Sequence, residues 1–454
     1  MSTSDYLGFT SREYATYVME QRAIPILTDG LKLSQRIALW LLKDQSKADS
    51  TIGLVGDMSK SKLYVHGNAA AEDMIGRLAA PYLNNIPLIH GEGAFGTRTA
   101  PFEGIGAARY TAVKRSKFAE SELYIDLDIC PTRENYDGSK LMPQTFLPRL
   151  PLILLNGISG VAIGFANIIL PRKLDDIRAA VIDVLKTGTT KQPLHPHFER
   201  YDCEVIQDHS NRLKFYLRGR VKIVNTTTVE ITELPPGMAL DTIRETLIAL
   251  EDAGTIAGFT DNSTDRITIQ VKFPRVELAK YNTENRLVTL FKLIEPVTEN
   301  LTVLNPDGKF VRKYANVQDM VVDFVEWRLG YYLIRYQRLL TQELDVALFW
   351  KSFLSCFESP GDRVRSVAAS ISGIASKSEL QEAVSTAILN QGLELRSDIV
   401  DRIVAMPVYR FTKEGQAEAK AKLKASEKAI EEYEGIISSP ERRKSIYLNE
   451  VVKS

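Results

Sequence analysis

The stretch Gly104-Ile105-Gly106-Ala107-Ala108-Arg109-Tyr110-Thr111, GIGAARYT, places a tyrosine directly after an arginine at the end of a segment of small residues. A tyrosine is a nucleophile for phosphoryl transfer when its phenolate is stabilised, and a neighbouring guanidinium can offset charge there and on the attacked phosphate. An isolated Arg-Tyr pair, however, is usually an ordinary surface pair. The meaning of Arg109 and Tyr110 therefore depends on the sequence around them.

The preceding segment Gly91-Glu92-Gly93-Ala94-Phe95-Gly96 matches the pattern GxGxxG. A dinucleotide site requires the last glycine to open a helix whose N-terminus receives the pyrophosphate. Here Thr97-Arg98-Thr99-Ala100-Pro101 follows, which is not a helical pattern. A loop whose glycines allow it to pass close to a bulky neighbour is the favoured interpretation.

Two further clusters resemble metal sites only weakly. His195-Pro196-His197, with Cys203 and His209 nearby, matches no common zinc-finger spacing, so surface loop residues are favoured. The spacing of Asp126 and Asp128 places both carboxylates on one side of a strand, which does not require magnesium. The sequence contains neither a P-loop nor a GxSxG elbow, and we assign no metal ligands in it.

Composition excludes several classes of protein. The 454 residues include 57 Lys and Arg and 57 Asp and Glu, so any nucleic-acid binding must come from a local basic surface. No apolar run approaches the roughly 20 residues of a membrane span, and the N-terminus lacks the pattern of a signal peptide. We expect a protein without membrane contact in a reducing cytoplasm. The basic surface is expected to contain Lys60, Lys62, Arg77, Arg98, Arg109, Lys114 and Arg115.

The secondary structure changes character along the chain. Apolar spacing predicts a helix over Leu33–Leu42, and Asn68 is the expected N-cap of a second helix. Strands are predicted at 213–217, 221–224 and 229–234, followed by a helix with Ile243, Leu247 and Leu250 on one stripe and a strand at Ile267, Ile269, Val271 and Phe273.

Two later segments repeat apolar positions every 3.5 residues on average, which is the coiled-coil period. These positions are Val325, Leu329, Tyr332, Tyr336 and Leu339, and then Leu423, Ser426, Ile430, Tyr433 and Ile437. The two helices must pair either as an antiparallel hairpin or between two chains. The segment 351–411 would lie at their far tip, and burying its apolar positions predicts self-association there. Those positions are Phe353, Leu354, Ile403, Val404 and Met406.

A series of ordered motifs resembles the breakage-reunion subunit of type IIA DNA topoisomerases, the family of gyrase A and topoisomerase IV. They are Arg22-Ala23-Ile24-Pro25, Asp29-Gly30-Leu31-Lys32, Gln35-Arg36, Val55-Gly56-Asp57, His66-Gly67-Asn68, Gly91 to Gly96, Ala108 to Thr111, Asn135-Tyr136-Asp137-Gly138, Leu155-Asn156-Gly157 and Gly160 to Ala166. A weaker match continues through Thr232-Glu233-Leu234-Pro235 and the long helices. Because no room remains for a DNA-wrapping domain, the length most resembles the shorter bacteriophage members.

The resemblance implies an α+β multidomain fold. A winged-helix DNA-gate domain is expected over 1–175 and an α/β tower domain over 176–310. Long antiparallel coiled-coil arms are expected at 311–350 and 412–454, ending in a helical dimerisation gate at 351–411.

Carried over position by position, the resemblance implies that Tyr110 becomes linked to a DNA 5′ phosphate while a 3′ hydroxyl leaves. Arg109, Arg36 and His66 match positions that stabilise the scissile phosphate. The family often has a histidine at the position of Tyr64, so the role of that position is open.

Three further positions match DNA contacts of the family. Lys62 and Arg77 would hold the DNA backbone without reading bases. Ile169 aligns with a residue that is wedged between base pairs to bend the duplex. An isoleucine in a strand can equally be an ordinary core residue.

The resemblance also implies cofactors and partners. Family members take Mg²⁺ from a Toprim domain and ATP-driven gating from a further region, and we expect both cofactors to be bound by partner subunits. The expected partners are double-stranded DNA, a second copy of the chain, and the Toprim and ATPase subunits of an ATP-dependent type II topoisomerase. The chain alone is expected to be inactive, and a phage origin would place it in the cytoplasm of the bacterial host.

Two other functions remain open from sequence. A DNA-bending scaffold could have kept the fold and lost cleavage, although the intact Arg109, Tyr110 and His66 argue against it. A tyrosine recombinase or other single-chain phosphotransferase would carry every cleavage determinant in this one chain.

Overall fold

The computed structural model of the protein describes residues 24–135, 137–162, 165–281, 283–359 and 365–453. Arg22, Ala23, Tyr136, Ile163 and Gly164, which belong to the motifs quoted above, lie outside these residues. The described part of the chain forms two compact units, 24–328 with 447–453, and 329–446. The four-domain division expected from sequence is not tested by this result and stays a prediction.

Helices and strands are mixed, as the α+β prediction requires. In chain order the α-helices are α1 (Leu33–Leu42), α2 (Thr51–Lys60), α3 (Asn68–Ala79), α4 (Lys117–Glu122), α5 (Leu152–Asn156), α6 (Leu174–Thr187), α7 (Leu240–Asp252), α8 (Glu284–Leu290), α9 (Val317–Ser355), α10 (Val367–Ser370), α11 (Lys377–Asn390), α12 (Ser397–Val404), α13 (Lys413–Ser438) and α14 (Pro440–Lys453).

The described strands all lie in the first unit. They are β1 (Asp49–Ser50), β2 (Ile89–Glu92), β3 (Ala112–Arg115), β4 (Thr132–Glu134), β5 (Leu141–Pro143), β6 (Ile158–Ala162), β7 (Phe165–Ile169), β8 (Glu204–Gln207), β9 (Lys214–Arg218), β10 (Arg220–Asn225), β11 (Thr228–Glu233), β12 (Gly258–Asp261), β13 (Ile269–Lys272), β14 (Ile294–Thr298), β15 (Thr302–Leu304) and β16 (Val311–Lys313).

A small antiparallel sheet of order β1-β3-β2 carries the segment around Tyr110. Ala112, at the start of its central strand, pairs with Ser50 on one side and Glu92 on the other. Helix α1 has the predicted bounds, and its residues Ile37 and Leu42 are buried because apolar side chains recur on one face.

Two local predictions in this part of the chain are wrong. Gly67, not Asn68, is the N-cap of α3, because Gly67 has the extended backbone of a cap and Asn68 is already helical. Asp126 and Asp128 do not alternate along a strand. Asp126 has a positive φ of 55° before a 3₁₀ turn, and its carboxylate accepts a hydrogen bond from the buried Arg328 at 2.6 Å.

The middle of the chain confirms the predicted strands and helix. An antiparallel sheet of order β10-β11-β13-β12 includes three of the predicted segments, and a second sheet of order β14-β9-β8 includes the fourth. Ile243 and Leu247 of α7 lie in one core with Val229, Ile231 and Val271 of the first sheet. The alternating burial of β11 produces this core, since every second side chain faces the same side.

Contacts within the second unit show how the long helices α9 and α13 pair. The rings of Tyr336 and Tyr433 lie 5.7 Å apart, and Lys422 Nζ lies 4.7 Å from the ring of Trp350. From Tyr336 to Trp350 the chain advances along α9, whereas the residues in contact with them go back along α13, from Tyr433 to Lys422. The two helices therefore pair antiparallel within one chain, and pairing between chains is not required.

The segment between these helices forms its own core. Phe353 and Ile403 are fully buried against residues such as Val384 and Ile388. The expectation that its apolar positions require another copy for burial is therefore wrong for these residues, because α11 and α12 cover them. Self-association would instead have to use the apolar side chains that this segment exposes, which are Leu389, Leu395, Val408 and Tyr409.

Candidate functional site

Tyr110 lies on a single 3₁₀ turn, Ala108–Tyr110, immediately before β3. Its side chain is 78% exposed. The next residue, Thr111, is held by two contacts with Thr51: Thr111 O accepts a hydrogen bond from Thr51 N, and the two threonine hydroxyls lie 2.8 Å apart in a buried position. The structure thus presents a phenol to solvent from a rigidly held backbone, as a nucleophile for a bulky substrate requires.

The glycine-rich loop packs against the backbone of this tyrosine. A Cβ on Gly93 would lie 3.3 Å from Tyr110 O, and a Cβ on Gly91 would lie 2.4 Å from the Phe95 ring. Gly93 and Gly96 both have positive φ, which glycine adopts without strain. No helix follows Gly96 within the described segment 24–135 until the turn at Tyr110, so the interpretation of GxGxxG as a close-packed loop is confirmed.

Arg109 is the cation nearest to the tyrosine in sequence, and it is exposed with it. Its guanidinium carbon lies 5.8 Å from the centre of the Tyr110 ring. Within the part of the chain that the structure describes, Arg109 makes no ion pair with a carboxylate, so its charge is available to a phosphate. The pair thus presents a phenol hydroxyl and a positive charge on one exposed surface.

His66 lies just before α3, in contact with the residue that replaces the family's histidine. The rings of Tyr64 and His66 meet edge to face, 5.4 Å apart, and Tyr64 Oη donates to Gly67 O at 3.3 Å. Tyr64 is buried. The Tyr64 ring therefore packs against the His66 ring and orients it, so Tyr64 has a packing role.

A cavity of about 370 Å³ lies between helix α3 and the turn that carries Tyr110. Helix α3 lines it with residues including Ala69 and Gly76, and the Tyr110 turn lines it with Ala108 and Thr111. The structure therefore brings the helix that begins beside His66 together with the turn that carries Arg109 and Tyr110.

Lys62 and Arg77 are both exposed, as DNA-backbone contacts must be. Lys62 has a positive φ of 61°, held by a hydrogen bond from Asn135 Nδ2 to its carbonyl, and its ammonium lies 4.0 Å from the Asp137 carboxylate. Hydrogen bonds from Ser139 lower the pKa of Asp137, and the Lys62 charge adds to this. The structure fixes the Lys62 backbone and leaves its ammonium accessible.

Arg77 projects from α3 between a carboxylate and an aromatic ring. It pairs with Asp73 one turn earlier, at 2.9 Å, and stacks on Phe102, with 3.8 Å from the guanidinium to the ring centre. An exposed pair of this kind contributes little stability, so a DNA phosphate could replace Asp73 at small cost.

Arg36, which the resemblance places at the scissile phosphate, does not reach the exposed surface in this structure. The residue is 2% exposed. Its guanidinium donates to both carboxylate oxygens of Asp29, at 2.6 and 2.8 Å, and to Leu31 O. Because Asp29 also accepts from the backbone N–H groups of Leu31 and Phe146, the arginine completes a buried network that fixes the turn before α1. Its role in this structure is to hold the fold.

Ile169 is likewise buried, at 2% exposure, while Ile168 next to it is 38% exposed. The two lie on opposite faces of the β6–β7 hairpin, because side chains alternate along a strand. A role for Ile169 as a wedge between base pairs would require the hairpin to rearrange, and in this structure Ile169 is a core residue.

The burial of Ile169 in the β6–β7 hairpin predicts a loss of stability when its side chain is shortened. Ile169→Ala should lower the free energy of unfolding by about 2 to 5 kcal/mol, since it leaves a cavity in a packed core. Ile168→Ala, as the matched control, should change it by less than about 1 kcal/mol. Calorimetry of both variants tests this, and an unchanged melting temperature for Ile169→Ala would contradict the assignment to the core.

Lys32 is a candidate functional residue that belongs to a quoted motif but received no role from the sequence. Its ammonium donates to Ser159 O of β6 at 2.7 Å. With Arg77 it lines a groove of about 620 Å³ between α1, α3 and the β6–β7 hairpin. Burial lowers the pKa of Lys32, and the like charge of Arg77 lowers it further. A phosphate in this groove would relieve that repulsion.

Arg98 is not part of the basic surface, contrary to expectation. It is buried, donates to the Glu233 carboxylate and to Leu234 O, and stacks on Tyr201 at 4.6 Å. A buried guanidinium needs a carboxylate partner, and the one available lies 135 residues away in β11. Sequence spacing contains no signal for such a pair.

The described residues include no group of three or more His, Cys, Asp or Glu side chains arranged to hold a metal ion. His197 of the histidine pair lies 3.1 Å from the Glu199 carboxylate on the surface. Among the described helices none is long and apolar enough to cross a membrane.

Nearly the whole sequence matches one known family. A family model that describes the A subunit of DNA gyrase/topoisomerase IV matches residues 22–452 of the chain. The chain belongs to this family. The resemblance to the cleavage and religation subunit of type II DNA topoisomerases is thereby confirmed.

Individual relatives agree with this gyrase A and topoisomerase IV A assignment. The DNA topoisomerase medium subunit of Enterobacteria phage T4 is 30% identical over 435 residues, covering 91% of this chain and 92% of that protein. DNA topoisomerase 2-alpha of Gallus gallus is 29% identical over 351 residues, which cover 74% of this chain and 22% of that protein. The match thus spans nearly all of the phage protein but only a minor part of the eukaryotic enzyme.

Solved structures share the fold as well. The DNA-binding, cleavage and re-ligation domain of Plasmodium falciparum topoisomerase II superposes with a TM-score of 0.82 at 22% identity, covering 97% of this chain and 63% of that one. The fold described above is therefore that of a type II topoisomerase cleavage domain.

Proposed function

We propose that this protein is the DNA-cleaving and religating subunit of an ATP-dependent type II topoisomerase. The observation that carries the proposal is the exposed Tyr110 beside the exposed Arg109 in a chain of this family. Tyr110 Oη attacks a backbone phosphorus, a tyrosine–phosphorus bond forms to the 5′ phosphate, and the 3′ oxygen leaves as a hydroxyl after taking up a proton. Because one phosphoester replaces another, the reverse reaction reseals the strand without an external energy source.

The cationic side chains have defined roles in this step. Arg109 and His66 supply positive charge where negative charge develops on the phosphorane, and removing one such donor commonly costs about 10² to 10³ in rate. Lys62 and Arg77 pair with flanking phosphates and position the duplex without reading its sequence. Arg36 supports the site from a distance by fixing the turn before α1.

Magnesium and ATP are proposed to be bound by partner subunits that carry the Toprim and ATPase functions. The T4 relative is itself named as one subunit of a topoisomerase, which supports a heteromeric assembly. Its phage source supports action in the cytoplasm of a bacterial host.

Two copies of the chain are needed for double-strand cleavage, since each tyrosine cuts one strand. A closed dimer would then open to pass a second duplex through the break. The segment 351–411 is the proposed dimer contact, and Val408 and Tyr409 are the most exposed large apolar side chains among its described residues. Loss of dimerisation on changing both to serine would support this surface.

Reconstitution tests the proposed function directly. The full chain is combined with its Toprim and ATPase partners, magnesium and supercoiled plasmid, and the reaction is stopped with detergent. We expect linear DNA with protein attached to its 5′ ends, and ATP-dependent relaxation without the detergent. DNA bending without any cleavage would favour the non-catalytic scaffold, and cleavage by the isolated chain would favour a single-chain phosphotransferase.

A further inference from the structure

A hairpin outside the Tyr110 site exposes an aromatic ring among positive charges. It consists of β15, β16 and the turn between them, Thr302–Lys313, and is called here the basic hairpin. Phe310 is 69% exposed, the largest value among the phenylalanines that the structure describes. Lys309 directly precedes Phe310 in the sequence, Arg312 and Lys313 follow it closely, and all three are exposed. A single exposed phenylalanine is common on protein surfaces, so its meaning depends on these charged neighbours.

The turn is rigid, so this exposure is not the result of a loose loop. Asn305 Oδ1 accepts hydrogen bonds from the backbone N–H groups of Lys309 and Phe310, both at 3.0 Å, and Asn305 N donates to Phe310 O. Gly308 takes the positive φ that the turn needs, of 71°. The backbone that carries the ring is therefore held in one conformation, which lowers the entropy lost on binding.

The basic hairpin is also hydrogen-bonded to other parts of the first unit, which contains Tyr110. Leu304 exchanges backbone hydrogen bonds with Pro25 and Leu27, and Gln144 Nε2 donates to Asp307 O at 2.8 Å. Just before β15, Asn300 exchanges two backbone hydrogen bonds with Ile168 of the β6–β7 hairpin. The basic hairpin is thus connected through Asn300 to the β6–β7 hairpin, which lines the groove that contains Lys32 and Arg77.

The charges of the basic hairpin favour a polyanion as its partner. Arg312 is paired with Asp323 and lies over Tyr314. Lys309 and Lys313 have no ion pair within the described part of the chain. Asp307 is the one acidic residue between Thr302 and Lys313. Accessible lysines flanking a rigid aromatic ring match the combination of phosphates and apolar sugar surface that a DNA groove offers.

We propose that the basic hairpin is an additional contact for duplex DNA, separate from the residues around Tyr110. Lys309 and Lys313 pair with backbone phosphates, and Phe310 packs against the apolar sugar surface of the minor groove. This inference rests on the proposed function, because it names a second binding region for the same DNA. It assigns to the chain a longer DNA footprint than the cleavage site alone would give.

Binding measurements on the full-length chain test the proposal. The probe is a fluorescent duplex of roughly 40 base pairs, which is long enough to span several helical turns. Its affinity is measured at a series of salt concentrations. Lys309→Ala with Lys313→Ala should weaken binding and reduce the slope of log K against log salt by about 1 to 2, as each lost phosphate contact removes roughly one unit. Phe310→Ala should lower the affinity about tenfold and leave the slope unchanged, because its contact is apolar.

A matched control uses an exposed apolar residue beside an exposed lysine elsewhere in the same unit. Val452→Ala with Lys453→Ala, at the end of α14, should change neither affinity nor slope. Melting temperatures should be equal in all these variants, since each side chain is on the surface. A lowered melting temperature for Phe310→Ala would assign the residue to folding and overturn the proposal.

Other outcomes separate this inference from the proposed function. Wild-type affinity and slope in the hairpin variants would overturn the DNA contact, even where the wild-type chain forms covalent complexes normally. Loss of assembly with the partner subunits at unchanged DNA affinity would assign the hairpin to a protein contact instead. If the wild-type holoenzyme formed no covalent DNA complexes, the proposed cleavage function would be wrong, whereas the DNA contact measured at the basic hairpin would remain valid.

Discussion

Tyr110→Phe should abolish covalent capture of DNA by the reconstituted enzyme. The substitution removes one oxygen from a side chain that is 78% exposed, so no packing contact is lost and the fold should be unchanged. The phosphotyrosyl bond cannot form without that oxygen. We expect no linear plasmid and no DNA-linked protein after detergent treatment, against a clear signal from the wild type.

Binding and assembly are the controls for this variant. Tyr110→Phe should bind duplex DNA with wild-type affinity, and it should dimerise as the wild type does, because its ring and backbone are intact. Arg109→Met, beside it, should retain a residual cleavage rate reduced by about 10² to 10³. Covalent DNA complexes formed by Tyr110→Phe would disprove the assignment of the nucleophile.

The second large effect is expected on stability rather than on chemistry. Arg36→Met leaves the fully buried Asp29 carboxylate without its positive partner, and breaking a buried pair in this way typically costs about 3 to 5 kcal/mol. At roughly 2 to 4 °C per kcal/mol for a unit of this size, the melting temperature should fall by roughly 10 °C. Calorimetry on the full-length chain measures it.

Arg109→Met provides the matched comparison, since it changes the same residue type on an exposed surface. Arg109→Met should leave the melting temperature unchanged and reduce cleavage, whereas Arg36→Met should lower the melting temperature. Arg36→Lys should lie between, because one ammonium cannot replace the two parallel hydrogen bonds to Asp29. If Arg36→Met were as stable as the wild type but unable to cleave, the family-based assignment of Arg36 to the phosphate would be restored.

Local pattern was sufficient for several parts of the fold. The bounds of α1 and the strands around 213–234 follow from apolar spacing, because burial on one face repeats with the period of the element. The antiparallel direction of α9 and α13 was left open by their periodicity, since a heptad pattern is the same for pairing within or between chains. Contacts such as Tyr336 with Tyr433 resolved it.

The sequence by itself determined the family, the Arg109–Tyr110 pair as the candidate site, and the secondary structure of several segments, since these depend on residues close together along the chain. Only the tertiary structure decided which charged and apolar residues are withdrawn from solvent. Arg36, Arg98 and Ile169 look like surface or DNA-contacting residues in sequence, yet all three are buried. The physical reason is that burial of a charge depends on a partner brought close by folding, as Glu233 is for Arg98, and no local pattern encodes that distance.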